Sequence, residues 1–297
     1  MAFQFQRGES VPRGIRRIVT EQLADAAARL RNPAASARAE AVHEARKSIK
    51  KVRAILRLMS GELQTVALTG NSLFRDLGRE LSVERDAAVL VETLDSLKDD
   101  IKSPGAALVR GRFVRERSRA SRGESPAAIA FALERAAAQV RTWPLRATGY
   151  AALAPGIEKA FHRCRKRMAR VQEDPTAANF HEWRKCVKDH WYHVRLLEGV
   201  WTDATRLYEK ALKDLENCLG DDHNLAVLSE RVIAMKDGAA FEELLAAGRH
   251  RQKHLRDRAL HLGERLYAQK PRSFVRHMEG LWDAAQAAAR KPRASAA

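Results

Sequence analysis

Six cationic or titratable side chains, His43, Arg46, Lys47, Lys50, Arg53 and Arg57, recur at spacings of three and four residues. On a helix that spacing stacks side chains on one face. At about 100° per residue they fall within about 120°, a stripe of nearly four turns or roughly 20 Å. Like charges so placed repel by a few tenths of a kcal/mol per pair. Within the stripe only Glu44 offsets them. A linear polyanion would relieve the repulsion along its length. Arginine offers phosphate a bidentate fork, lysine a mobile point charge, and histidine a donor that titrates near neutrality.

The same pattern returns 138 residues later. Residues 42–59 (VHEARKSIKKVRAILRLM) and 180–197 (FHEWRKCVKDHWYHVRLL) share seven of eighteen positions, among them His43/His181, Arg46/Arg184, Lys47/Lys185, Lys50/Lys188 and Arg57/Arg195. Ordinary composition would give roughly one match. The offset continues through LSVERDAAVL (81–90) and LGDDHNLAVL (219–228), while Gly14-Ile15 and Pro33 meet Gly156-Ile157 and Pro175 at an offset of 142. The polar face matches better than the apolar one. Exposed positions in duplicated halves ordinarily drift apart, so the match points to a shared ligand rather than a solvated surface.

The elements that must carry these stripes are helices. Ala, Leu, Arg, Glu and Lys dominate between prolines such as Pro33, Pro104, Pro126, Pro144, Pro155, Pro175 and Pro271. Apolar residues recur at helical spacing, as in Val42, Ala45, Ile49, Val52, Leu56 and Met59, and no segment alternates with period two. The reading is an all-α fold of roughly ten helices, arranged as two four-helix bundles related by a pseudo-two-fold axis. Repeat one covers about 10–142 and repeat two about 150–285, with a frayed basic tail at 290–297.

Bulk composition agrees with an acidic partner. Lys and Arg number 54 against 37 Asp and Glu, a formal charge of +17, and such an excess favours nucleic acid, an anionic membrane face or a polyphosphorylated species. Three scattered cysteines, Cys164, Cys186 and Cys218, form no Cys-x-x-Cys pair, which argues against a disulfide framework or zinc knuckle. No secretory h-region and no membrane-length apolar run is present, so the expectation is a cytoplasmic, soluble protein.

At Val42-His43-Glu44-Ala45-Arg46-Lys47 with Lys50 and Arg53, at Phe180-His181-Glu182-Trp183-Arg184-Lys185 with Lys188, and at segments 81–86 and 219–224, the chain resembles the CHAD family, the conserved-histidine α-helical domains. The resemblance runs over about residues 10–285. It implies two helical bundles with internal symmetry, binding of inorganic polyphosphate on a basic central surface, and residence at polyphosphate granules in some members. Carried over by position, the binding set is His43, Arg46, Lys47, Lys50, Arg53, Arg57, His181, Arg184, Lys185, Lys188 and Arg195. Arg13, Arg17, Lys159 and Arg163 join it from the first helix of each repeat. Trp191 stands where Arg53 stands in repeat one, and Glu158 where Arg16 stands, so the halves are expected to contribute unequally. The family's frequent fusion partner, a CYTH-type catalytic barrel, has no counterpart in this sequence: alternating strands and a Glu-x-Glu-x-Lys signature are missing. The expectation is binding without catalysis and without a cofactor.

Two rival functions fit part of the same pattern. A non-specific nucleic-acid binder suits the charge, but no helix-turn-helix, RRM or zinc-finger signature is present, and aromatics are only 6%. A metal-binding protein or metal-dependent phosphohydrolase is invited by ten histidines, notably His250 with His254 and His190 with His193, yet neither pair has an acidic cluster beside it. Glu44 and Glu182 read as partners of Lys47 and Lys185 or of a helix dipole, and Arg85-Asp86 as a structural pair or cap. Trp183, Trp201 and Trp282 read as core, and Trp191 as a surface for Arg195.

Overall fold

The structure is a computed structural model that describes residues 3–34, 37–101, 105–120, 126–200, 203–235 and 238–290. Among them every regular element is helical. Repeat one holds α1 (Val11–Arg31), α2 (Arg38–Leu58), α3 (Ser60–Glu80), α4 (Ser82–Asp95), α5 (Gly105–Ala120) and α6 (Ala127–Gln139). Repeat two holds α7 (Ala154–Glu173), α8 (Ala177–Leu196), α9 (Asp203–Ile233), α10 (Gly238–Leu266) and α11 (Pro271–Arg290). Pro104, Trp201 and residues 291–297, the tail after Arg290, lie outside the described residues.

The prolines act as punctuation. Pro12 and Pro155 sit in the first turns of α1 and α7, where a missing N–H breaks no helical bond. Pro33 and Pro175 fall in the loops that follow those two helices. Thr176 then caps α8 by accepting a hydrogen bond from the Asn179 amide at 3.3 Å.

The duplication is visible in the helix ends. Those of α8 and α9 fall 138 residues after those of α2 and α4, and that of α7 falls 142 after that of α1. The one long helix α9 stands for α3 and α4 together. Repeat one breaks at Leu81, whereas repeat two runs on through Leu219 and Gly220.

Two apolar cores result. The larger takes side chains from both repeats, among them Ile49, Val52 and Leu56 of α2, Trp183 and Val187 of α8, and Trp282 of α11. The smaller joins Leu90, Leu94 and Phe113 of α4 and α5 to Leu228, Val232 and Phe241 of α9 and α10. Gly156 marks the tightest seam, since a methyl group there would collide with the Leu58 carbonyl. The end of α2 can therefore rest on the first turn of α7. All six apolar residues expected on the inner face of α2 are buried. Each large one stabilises by about 1.5–3 kcal/mol, well above the repulsion among the cations on its outer face. Core packing can thus hold the charged stripe in place.

Candidate anion-binding groove

Helices α2 and α8 pack against one another, and their cationic stripes open onto one groove of about 850 Å³. From α2 come His43, Arg46, Lys47 and Lys50, and from α8 come Arg184, Lys188, Trp191 and Tyr192. The start of α4 adds Arg85 and Asp86, and α9 adds Lys213 and His223. Glu116 and Arg231, an ion pair between the helices of the smaller core, also line it.

Lys50 sits where the two stripes converge. Burial lowers its pKa to about 7, with Lys188, Arg46 and Arg184 acting in the same direction against a weaker pull from Glu216. Its neighbour across the groove is held differently. Lys188 Nζ lies 2.7 Å from Glu216 Oε1, Lys213 Nζ lies 2.7 Å from Oε2, and Arg184 stands 3.9 Å away. Burial raises the Glu216 pKa, but Lys188 and Lys213 outweigh it and leave the carboxyl at about 2.

The histidines are held largely neutral. Burial and then Arg85 lower the His43 pKa. The ring of His181 packs 4.1 Å from that of His223, whose pKa falls to about 4 through burial and then His181. Burial, Lys185 and Arg184 likewise lower His181. A polyanion in the groove would raise all three.

Six of the fifteen expected residues line the groove: His43, Arg46, Lys47, Lys50, Arg184 and Lys188. His181 reaches it only through His223. Lys185 is exposed outside it, paired with Glu182. Arg53 donates to Asn71 Oδ1 at 3.0 Å and lines a side pocket of about 210 Å³ with Arg75 and Arg79. That pocket shares Arg46, Lys50 and Ser82 with the groove. Arg195 stacks over Trp191 at 5.1 Å, as its spacing suggested, while Lys51 and Arg195 both approach Phe3. Arg17 is engaged by Glu9 at 2.7 Å and Glu21 at 3.3 Å, and Arg13 is exposed outside the groove. Arg57, Lys159 and Arg163 line a separate cavity behind α8.

Four further basic residues of the groove, Arg85, Lys213, His223 and Arg231, lie outside the binding set expected from sequence. The repeat carried the signal for three of them, since Arg85 matches His223 and Arg75 matches Lys213 at the 138-residue offset. One local pairing is corrected, and one alternative is decided. Arg85 does not pair with Asp86. It pairs with Glu92 at 2.7 Å, and Asp86 turns to Arg46 at 3.5 Å. Glu44 and Glu182 lie beyond the first turns of α2 and α8, so they serve Lys47 and Lys185 and not a helix dipole.

Among the described residues no group of three or more His, Cys, Asp or Glu side chains is placed to hold a metal ion. His250 and His254 bring their Nε2 atoms within 3.1 Å without a third ligand. His190 is buried against Tyr267, and His193 Nε2 meets the Ala54 carbonyl at 2.9 Å.

A family model, the CHAD domain, matches residues 17–233, which include both histidine helices and the α4 and α9 segments that line the groove with them. The chain belongs to the CHAD family. Its fold is similar to the crystal structure of the CHAD domain from the plant Ricinus communis, with a TM-score of 0.60 at 20% identity, covering 94% of this chain and 95% of that one. It is also similar to PptA from Streptomyces chartreusis, with a TM-score of 0.52 at 17% identity over 88% of this chain and 99% of that one. At such identities the likeness is one of fold. No curated protein matches the chain. The CHAD fold here includes no described helix long and apolar enough to cross a membrane.

Proposed function

We propose that this CHAD protein is a non-catalytic receptor for inorganic polyphosphate, held in the groove between α2 and α8, and that this binding draws it to polyphosphate granules. The observation that carries the reading is the convergence of Arg46, Lys47, Lys50, Arg184 and Lys188 on one groove, where burial first, and then Lys188, Arg46 and Arg184, lower the Lys50 pKa to about 7. A free protein gains nothing from that crowding. A chain of phosphates, with one charge or more per unit, offsets it at every step. The carboxylates in the groove are engaged by cations, Asp86 by Arg46, Glu116 by Arg231. This leaves the cations as the ligand-facing groups.

The aromatic residues of the groove favour polyphosphate over a nucleic acid. Trp191 and Tyr192 are 8% and 3% exposed, and Trp191 is already covered by Lys213 at 4.4 Å and Arg195 at 5.1 Å. They offer no open face on which a base could stack. The test is a titration with long-chain polyphosphate, duplex DNA and single-stranded RNA at matched phosphate concentration. Selective, tight binding of polyphosphate is expected. Equal or tighter binding of nucleic acid would reassign the groove to polyanions in general.

A further inference from the structure

Arg57, Lys159 and Arg163 do not reach the groove. They line a second cavity of about 510 Å³ together with Asp189 and His193. The two spaces lie on opposite faces of α8. Arg184, Lys188 and Trp191 point to the groove, and Cys186, Asp189 and His193 to the cavity, as the 100° step of a helix requires.

The second cavity is built for an anion. The guanidinium of Arg57 is fixed by Asp189 Oδ1 at 2.5 Å and Asn71 Oδ1 at 2.9 Å, and its Nε is buried without a partner. Lys159 and Arg163 form no ion pair or hydrogen bond with a described residue. One helix start opens on the same space, at Gly156 of α7. The dipole of that helix favours negative charge at its start. At the lip, Gln64 breaks α3 with φ 40° and ψ −110°, a costly conformation for a residue with a side chain and one that concentrates at binding sites.

The cavity also holds acceptors. His193 is 2% exposed. Its Nε2 faces the Ala54 carbonyl at 2.9 Å and must donate to it. Burial lowers the His193 pKa to about 4, so the ring is neutral and Nδ1, which has no partner, is an acceptor. A bare phosphate chain at neutral pH has no hydrogen to give it. Leu56, Ala67, Leu68 and Ala160 form an apolar wall that such a chain would leave unused.

We infer that this cavity is a second anion site, separate from the groove, that takes a nucleotide-sized organic phosphate: phosphate on Arg57, Lys159 and Arg163, and a hydroxyl or N–H of the organic part on His193. The volume falls within the range of small-molecule pockets. The inference does not depend on what the groove binds.

ATP is the probe, titrated calorimetrically beside inorganic triphosphate. Three proteins are compared: wild type, a cavity variant (Lys159→Gln with Arg163→Gln) and a groove variant (Lys47→Gln with Arg184→Gln). Circular dichroism checks each fold. The expected result is ATP bound more tightly than triphosphate by wild type and, with little change, by the groove variant. The cavity variant should lose on the order of tenfold in ATP affinity or more, while its polyphosphate affinity moves less than about twofold. ATP binding abolished by the groove substitutions, unchanged by the cavity substitutions, no tighter than triphosphate, or absent at millimolar concentration would each overturn the inference.

Discussion

The Lys188 ammonium lies 2.7 Å from Oε1 of Glu216, a residue 4% exposed, and at the matching position of the first repeat stands Gly78. The second stripe is therefore partly neutralised from within, whereas Arg46 and Lys50 of the first meet no buried acid from α3. The asymmetry between the halves rests on this carboxylate as much as on Trp191 in place of Arg53.

Replacing Glu216 by Gln should separate the two roles of that carboxylate. Its folded pKa of about 2 lies below the ordinary glutamate value of 4.5. Its stabilisation is thus present above pH 4.5 and is lost as pH falls toward 2. At neutral pH Glu216→Gln should cost on the order of 2 kcal/mol of stability, because Lys188 and Lys213 lose their buried partner. Polyphosphate affinity should rise by about threefold or more, since the ligand no longer competes with an internal anion. Thermal melts and calorimetry on one preparation read both. A fall in affinity in a folded variant would show that Glu216 orders the groove rather than opposes its ligand.

The groove sorts residues that the sequence pattern treats alike. Lys47 lines it, and the equivalent Lys185 stands outside it on Glu182. Lys47→Gln should weaken polyphosphate binding on the order of tenfold, the loss of one charge-assisted contact. Lys185→Gln should change it less than about threefold. Equal effects from the two substitutions would mean that the ligand runs along the outer faces of both helices.

Much of this was legible in the sequence, for reasons that differ by element. The inner face of α2 follows from apolar spacing alone, because burial of Val42, Ile49 and Leu56 dominates every other local energy. The duplication located the two stripes, and its 138-residue offset also relates Arg85 to His223, groove residues that the expected binding set left out. Helical spacing could not show which side of α8 would face which cavity. Arg57 and Lys50 lie on one continuous stripe, yet the packing of α7 against the end of α2 turns Arg57 into the other space. Arg17 was beyond reach for another reason. Its partner Glu9 precedes α1 in the chain, and only the folded N-terminal segment brings the two together.

Proton uptake should accompany polyphosphate binding. Free Lys50 has a pKa near 7, and bound phosphate raises it, as it does those of His43, His181 and His223. The complex then holds more protons than the free protein, so affinity rises as pH falls and declines steadily between about pH 6 and 9. The apo protein behaves in the opposite sense. Its Lys50 is lowered from 10.5 to about 7, so the unfolded state binds more protons across that window and this group makes stability rise with pH there. Calorimetry in buffers of different ionisation enthalpy measures the uptake directly. A heat of binding independent of buffer at pH 7.5 would show that Lys50 is already charged or does not meet the ligand.

Salt gives the most direct count of the contacts. Each cation that meets a phosphate releases counterions, and for a single-stranded polyanion the slope of log affinity on log salt is about −0.7 per contact. Five basic side chains, Arg46, Lys47, Lys50, Arg184 and Lys188, line the groove from the two stripes, with Arg85 and Lys213 beside them; Lys50 counts among the contacts once the ligand has protonated it. If the five engage together, the slope is roughly −3.5, and contact with the flanking pair takes it toward −5. Lys47→Gln should flatten it by about 0.7 and Lys185→Gln should leave it unchanged. A wild-type slope near −1 would confine the ligand to one end of the groove. It would also mean that the two stripes, though they face the same space, do not act on the same chain of phosphates.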